Sequence, residues 1–155
     1  MTRIKRQRTA GKLILQIALA LFFIASGIIT LQLDSGFFGR LEAGLRNNEV
    51  AYAINSLIRN TNVADILIIA FGVIEFLVGI FLAIQLFVDV GVRFTQVLMA
   101  IIVIVWLLVI ILVDIMGRSG IMGGHIFDDM GSMLSYFKQL SAHLLVLGSV
   151  IVVQD

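Results

Sequence analysis

Four long apolar stretches dominate the pattern of polar and apolar positions along the chain. Residues 13–33, 63–88 and 94–116 each supply the roughly 20 mostly apolar residues that a helix needs to cross a bilayer core. A fourth stretch, residues 135–153, is weaker. The pattern predicts an all-α integral membrane four-helix bundle that forms a single transmembrane domain over residues 1–155.

The fourth stretch is interrupted by two polar residues. Lys138 and His143 lie in its first half. We interpret it as a span because the apolar run reaches the end of the chain at Gln154 and Asp155. We expect no soluble domain there for it to pack against.

The placement of basic residues predicts the orientation of the spans. Five of the eleven lysine and arginine residues fall in the first twelve positions, with no acidic residue among them: Arg3, Lys5, Arg6, Arg8 and Lys12. Beside an apolar stretch, such a segment is a positive-inside signal rather than a nucleic-acid site. The first stretch is also too long for a signal-peptide core, so we expect it to be retained. We therefore expect a multi-pass protein of the bacterial cytoplasmic (inner) membrane, with both termini cytoplasmic.

Composition restricts the chemistry that the chain performs by itself. Its 155 residues are 60% apolar and include no cysteine, which excludes thiol redox chemistry and iron–sulfur clusters held by this chain. There is no Walker loop or Rossmann fingerprint, so no nucleotide cofactor is expected. Any redox role must depend on another protein or on a bound cofactor.

Two loops carry predictions of their own. Residues 34–62 show helical spacing on either side of Asn47 and Asn48, which predicts two short amphipathic helices at the outer membrane surface, placed either to cap the bundle or to bind a partner. The first apolar face comprises Phe37, Phe38, Leu41 and Leu45, and the second comprises Ala51, Ile54, Leu57 and Ile58. The inner loop, residues 89–93, is so short that spans two and three are expected to form a tight antiparallel pair.

One carboxylate, Glu75, lies near the middle of the second span. A charge there costs about 3 kcal/mol or more on insertion scales, so Glu75 is expected to face another helix or to be protonated. Gly72 and Gly79 lie on the same side of the helix and allow a neighbour to approach closely. The first span offers a matching stripe: Gln16, Ala20, Phe23, Gly27 and Thr30.

Two interpretations of Glu75 stay open. In the first, Glu75 donates a hydrogen bond to the first span and only holds the helices together. In the second, it handles protons or binds the polar head group of a quinone or another lipid-soluble substrate. The further binding candidates are Gly72, Gly79, Gln16 and His143. Catalytic residues are not assigned.

Several polar residues are expected on the outer side of the membrane. Asn62 and Asp65 are typical of a cap at the start of span two, and Asp114 is expected to form an interfacial pair with Arg118. The predicted outer polar cluster comprises Asp114, Arg118, His125, Asp128 and Asp129. No recognised metal-binding spacing is present, so no metal site is predicted. A haem held by two histidines is disfavoured because His125 falls in a loop.

Three short motifs resemble the DoxX-like family of small four-helix membrane proteins. They are FFIASG at residues 22–27, Glu75 followed four positions later by Gly79, and LLVLG at residues 144–148. Their order matches the family over residues 13–153. The resemblance implies a bundle in membrane redox processes, as a subunit of thiosulfate:quinone oxidoreductase or a partner of thiol-stress enzymes. The chain lacks the usual lysine after the first-span glycine, so the resemblance does not specify a substrate.

The sequence therefore predicts an accessory or anchoring subunit of a membrane redox complex, non-catalytic rather than an enzyme on its own, with a quinone as the candidate cofactor. Its expected partners are the lipid bilayer and a membrane or extracytoplasmic protein. A homo-oligomer is compatible with the sequence. The alternative is a small bracing subunit of a secondary transporter, or of another membrane complex without redox chemistry.

Overall fold

The computed structural model describes residues 9–32, 49–58, 60–88, 91–117 and 120–154. Within these ranges the regular structure is helical throughout. The helices are α1 Ala10–Gln32, α2 Glu49–Leu57, α3 Thr61–Ile84, α4 Val92–Val109 and α5 Met130–Gln154, with a π-helical segment Ile110–Ile115 continuing α4 and a 3-10 helix Ile121–Gly123. Four of the five basic N-terminal residues (Arg3, Lys5, Arg6 and Arg8), the first predicted amphipathic helix and Arg118 lie outside the described residues.

Four of these helices are long and apolar enough to cross a membrane. They are α1, α3, α4 together with its π-helical segment, and α5, which is the architecture of a multi-pass membrane protein. The predicted spans are present, although the last helix begins at Met130 rather than at residue 135. Large apolar side chains such as Ile14, Leu21, Ile104 and Leu145 are exposed on the helix surfaces, as expected for faces that contact lipid.

The most extensive helix packing joins α1 to α3. A Cβ atom at Gly27 of α1 would lie 2.5 Å from the backbone nitrogen of Phe76 in α3. A Cβ atom at Gly79 of α3 would lie 2.6 Å from the backbone nitrogen of Ile24 in α1. Glycine at both positions therefore permits the close backbone approach that is common between membrane helices.

The second predicted amphipathic helix is present as α2, and it lies against other helices of the molecule. It packs across α3 and the π-helical segment, and its buried residues are Val50, Ala51, Ala53 and Ile54. Leu57, predicted to share this face, is 38% exposed. The apolar face of α2 thus contacts the protein rather than a membrane surface, and we call this end of the molecule the α2 end.

The prediction that spans two and three form a tight antiparallel pair is wrong for the described residues. The main partner of α3 is α1, and that of α4 is α5. Helices α3 and α4 meet near their connecting loop, where the rings of Phe81 and Phe94 lie 5.5 Å apart and the Gln85 amide donates to the Thr95 hydroxyl at 2.9 Å. A short loop fixes which helix ends are close, but glycines and polar residues decide which faces pack.

The cap of α3 also differs from the prediction. Asn60, rather than Asn62, is the N-cap residue, and its side chain accepts a hydrogen bond from the Val63 backbone N–H at 3.4 Å. Asp65 is exposed one turn inside the helix. The helix begins at Thr61, and a capping oxygen must come from the residue just before the first helical one.

We expect Gly27→Ala to destabilise the protein, because the added methyl group collides with the α3 backbone at Phe76. Overpacking of this kind costs about 1–3 kcal/mol. The matched control is Gly11→Ala in the same helix, where an added Cβ meets nothing within 4 Å and alanine favours the helix. Unfolding in detergent micelles, followed by circular dichroism, measures the difference. Equal stability of the two variants would contradict the close α1–α3 packing.

Candidate functional site

Glu75 is buried between α3 and α1. Its side chain is 2% exposed. The Ser26 hydroxyl donates to Oε1 at 2.7 Å, and the Thr30 hydroxyl oxygen lies 2.9 Å from Oε2. The contact predicted between Glu75 and the polar stripe of the first span is thus confirmed at Thr30. Ser26 was not predicted, although it lies one helical turn before Thr30 on the same face.

The hydrogen bonds around Thr30 favour a protonated Glu75. The Thr30 hydroxyl has one hydrogen, and its oxygen also lies 2.9 Å from the Ser26 carbonyl oxygen. If Thr30 donates to that carbonyl, a protonated Glu75 donates to Thr30 and accepts from Ser26, and all of these groups are paired. A neutral side chain also avoids the cost of a charge within a span. Such a closed set of bonds is typical of a contact that locks two helices together.

The other candidates on this interface do not converge on Glu75. Gly72 lies against the side chain of Thr30, where an added Cβ would be 3.1 Å away, and Gly79 lies against Ile24. Gln16 is near the opposite end of α1, where its amide donates to the Leu82 carbonyl oxygen at 3.0 Å. These residues therefore form separate contacts along one helix interface.

A second buried carboxylate, Asp114, lies at the α2 end of the molecule. It belongs to the π-helical segment and is 0% exposed. Gln139 of α5 donates from Nε2 to Oδ1 at 3.0 Å, and Nδ1 of His143 lies 2.7 Å from Oδ2. These α5 residues enclose Asp114 within the protein. The predicted pair of Asp114 with Arg118 stays a prediction, because Arg118 lies outside the described residues. π-Helical turns are frequent at functional sites.

The imidazole of His143 lies between two carboxylates. Nδ1 faces Asp114, and Nε2 is 3.8 Å from Oε2 of Glu49 in α2. When Asp114 accepts a hydrogen bond from Nδ1–H, the neutral ring presents a lone pair at Nε2. The ring can therefore take up a proton at Nε2, and once protonated it can donate a hydrogen bond to a ligand oxygen.

Aromatic rings connect His143 to the surface of α1. The indole nitrogen of Trp106 donates to the His143 carbonyl oxygen at 2.9 Å, and the two ring centroids lie 5.9 Å apart. Phe22 and Phe23 contact Trp106 edge to face, with centroid distances of 5.6 and 5.5 Å. Phe22 is 40% exposed and Trp106 is 3% exposed, so the rings lead from the helix surface to the buried imidazole.

Sequence reasoning missed three members of this site: Glu49, Trp106 and Gln139. Gln139 and His143 are four residues apart, so helical spacing alone places them on one face of α5. No local pattern links Glu49 or Trp106 to His143, because those contacts join distant parts of the chain.

The predicted outer polar cluster is divided between separate contacts. Asp114 lies in the buried site, whereas His125 and Asp128 form an exposed pair at 2.8 Å. Asp129 accepts hydrogen bonds from the Ser132 backbone N–H at 2.8 Å and the Ser132 hydroxyl at 2.9 Å, and so caps α5. Among the described residues, no three histidine, aspartate or glutamate side chains are arranged to hold a metal ion.

Comparison with known proteins shows a relative of similar length. Over 143 residues, which are 92% of this chain and 91% of the other, the chain is 31% identical to a protein of Treponema pallidum (strain Nichols) described as uncharacterized. No family model matches the chain, and no solved structure matches it. The similarity covers nearly the full length of both chains.

We expect Glu75→Leu to destabilise the protein more than Glu75→Gln. Glutamine can accept from Ser26 and donate to Thr30, whereas leucine removes both contacts. Hydrogen bonds between membrane helices contribute about 0.6 kcal/mol on average and up to about 1.7, so the leucine variant should lose about 1–3 kcal/mol. Unfolding in mixed micelles measures both variants. A glutamine variant as unstable as the leucine variant would show that the packing needs the carboxyl group itself.

The Asp129 cap gives a prediction for acid pH. Hydrogen bonds from the Ser132 backbone N–H and hydroxyl lower the pKa of the Asp129 carboxyl. The contribution of the ionised carboxylate to the stability of the start of α5 is therefore fully present above the ordinary aspartate pKa of about 3.9. It is lost as pH falls through the lowered pKa. We expect Asp129→Ala to reduce protection of the first α5 turn at neutral pH, as strong acid does in the natural protein.

Hydrogen–deuterium exchange, expressed as protection factors for residues 131–134, measures this effect. Asp128→Ala is the matched control, because the described contact of that neighbouring carboxylate is with His125 and not with the start of α5. Equal protection in the two alanine variants would show that Asp129 does not cap the helix.

Proposed function

The chain belongs to the same family as the Treponema pallidum protein, and from that premise and the geometry of its buried polar sites we propose that it is an accessory subunit of a membrane redox complex. It is a four-helix bundle of the DoxX-like type in the bacterial cytoplasmic membrane. The observation that carries the proposal is the buried pair of Asp114 and His143, 2.7 Å apart, at the end of a membrane span. Ionisable residues within spans are costly and generally mark pathways for protons, ions or substrates.

The buried pair has the chemistry to hold the polar head group of a quinone. A quinone takes up two electrons and two protons, and its carbonyl oxygens accept hydrogen bonds. In the described part of the chain, Nε2 of His143 has no partner within hydrogen-bond distance, and the nearest carboxylate, Glu49, is 3.8 Å away. The protonated imidazole can therefore donate to a carbonyl oxygen, with Asp114 stabilising its charge.

The aromatic rings beside His143 supply the apolar part of such a site. Phe22 is partly exposed on the helix surface, and Trp106 links it to the imidazole. A lipid-soluble ring system approaches from hydrocarbon, so an aromatic route from the lipid-facing side suits it. This support is absent at Glu75, where hydroxyl groups of α1 occupy both oxygens.

In this proposal Glu75 has a structural role in holding α1 against α3, while His143 carries the ligand contact. We assign the source of the electrons to a partner protein, because the 155 residues contain no cysteine and no nucleotide-binding motif. An accessory subunit therefore fits these features better than an independent enzyme does.

We expect His143→Asn to lose bound quinone. The full-length protein is purified in native nanodiscs from its own membranes, and mass spectrometry measures the quinone retained per protein and the co-purifying proteins. Loss of a charge-assisted hydrogen bond is worth about 1.5–3 kcal/mol, which corresponds to a tenfold to hundredfold decrease in affinity. His125→Asn is the matched control, because that histidine is exposed in a loop.

The midpoint temperature of thermal unfolding shows whether each variant keeps its fold. Quinone retained equally by a folded His143→Asn variant, or an absence of quinone from the natural protein, would overturn the quinone site. Recovery of a large multi-span transporter in place of redox proteins would favour the bracing role instead.

A further inference from the structure

We infer that Glu49, His143 and Asp114 form a proton path from the surface at the α2 end into a membrane span. The three groups belong to different elements, namely α2, α5 and the π-helical segment. Side-chain exposure falls from 54% at Glu49 to 13% at His143 and 0% at Asp114. From the surface inward the order is carboxylate, imidazole and carboxylate, and each of these groups can bind and release one proton.

The contact between His143 and Asp114, the inner contact of the path, defines how the proton is transferred. In the starting state an ionised Asp114 accepts a hydrogen bond from Nδ1–H of neutral His143. Glu49 takes a proton from water and passes it to Nε2 of His143, so an O–H bond breaks as an N–H bond forms. The imidazolium then releases its Nδ1 proton to Oδ2 of Asp114, 2.7 Å away. One proton has entered from water, Asp114 is neutral, and Glu49 is ionised again.

The contact between Glu49 and His143, the outer contact of the path, controls the access of protons from water. The 3.8 Å between Glu49 and Nε2 is longer than a hydrogen bond. Glu49 lies in the first turn of α2 with half of its side chain exposed, so a side-chain rotation or one bridging water closes the gap. Asp114 therefore exchanges protons with water only when Glu49 or a water molecule reaches the imidazole.

The surroundings of Asp114 suit a group that stores a proton. Gln139 donates to Oδ1 at 3.0 Å, which holds the carboxyl group in place while Oδ2 gains or loses its proton. The ionisable groups that interact with Asp114 within the described residues are His143 and the buried Tyr136. Burial of an ionised carboxylate is costly, so uptake of a proton through His143 relieves that cost.

This inference deepens the proposed function, because the path supplies protons to the quinone site at His143. It rests on the proposed function only for the last step, in which the proton passes from the path to a quinone. Its test uses no quinone. A protein that binds no quinone but exchanges protons through Glu49 keeps this inference and loses the proposed function. A protein that binds quinone at His143, but whose proton exchange does not depend on Glu49, keeps the proposed function and loses this inference.

The experiment uses the two histidines of the chain. Full-length protein labelled with ¹⁵N-histidine is placed in phospholipid nanodiscs as the His125→Asn variant, so that the remaining imidazole signals come from His143. Nuclear magnetic resonance then measures the exchange of its ring protons with water. Infrared difference spectra follow the carboxylic acid band that is lost in Asp114→Asn.

We expect Glu49→Gln to slow proton exchange at His143 by about a hundredfold, the lower end of what a positioned acid–base group contributes. Asp65→Asn is the matched control, since it removes an exposed carboxylate at the start of α3 and should leave the exchange unchanged. The emission of Trp106, the single tryptophan, reports an intact site because its indole is bonded to the His143 carbonyl.

Unchanged exchange in a Glu49→Gln variant with unaltered tryptophan emission would overturn the path. If that variant is misfolded, Glu49→Asp provides the second measurement. The shorter carboxylate widens the gap to Nε2, so the path requires slower exchange in this variant, and exchange at the natural rate would overturn it.

Discussion

Hydrogen bonding between buried polar side chains and a neighbouring helix is the constraint on which this structure depends. In hydrocarbon, an unpaired polar group costs several kcal/mol, so each buried polar residue determines which helix must lie beside it. Glu75 places α3 against α1, and Asp114 places the end of α4 against α5. Trp106 then joins the two helix pairs, because its ring contacts Phe23 of α1 and His143 of α5.

The two buried acids satisfy this constraint in different ways. Glu75 is enclosed by hydroxyl groups and closely packed backbone, so its bonds are complete within the α1–α3 interface. Asp114 is bonded to an imidazole whose far nitrogen faces a half-exposed carboxylate. The first arrangement is suited to stability and the second to exchange with the surroundings. A buried carboxylate can thus serve either helix packing or the proposed chemistry, and the side chains around it determine which role it has.

Patterns that depend on neighbouring residues predicted the structure well. Apolar length located the spans, and spacing of three or four residues placed Glu75 opposite the stripe that contains Thr30. Patterns that depend on distant contacts did not. The partners of Asp114 are 25 and 29 residues away along the chain. Nothing in the local sequence around Asp114 indicates that α5 packs beside it. The shift of the α3 cap to Asn60 has a smaller cause, since two asparagines lie within one turn of the helix start and either could cap it.

The π-helical segment has a consequence for how this site arose. In it the Met116 N–H donates to the Ile111 carbonyl oxygen, five residues back, at 2.9 Å. The turn therefore holds one more residue than an α-helical turn, and the chain beyond it is rotated by about 100° relative to an uninterrupted helix. A single-codon insertion or deletion in a relative would turn Asp114 toward or away from α5 while changing the length of the apolar stretch by only one residue. Gene comparisons within the family can therefore separate members with the buried acid–imidazole pair from members that are alike only in hydropathy.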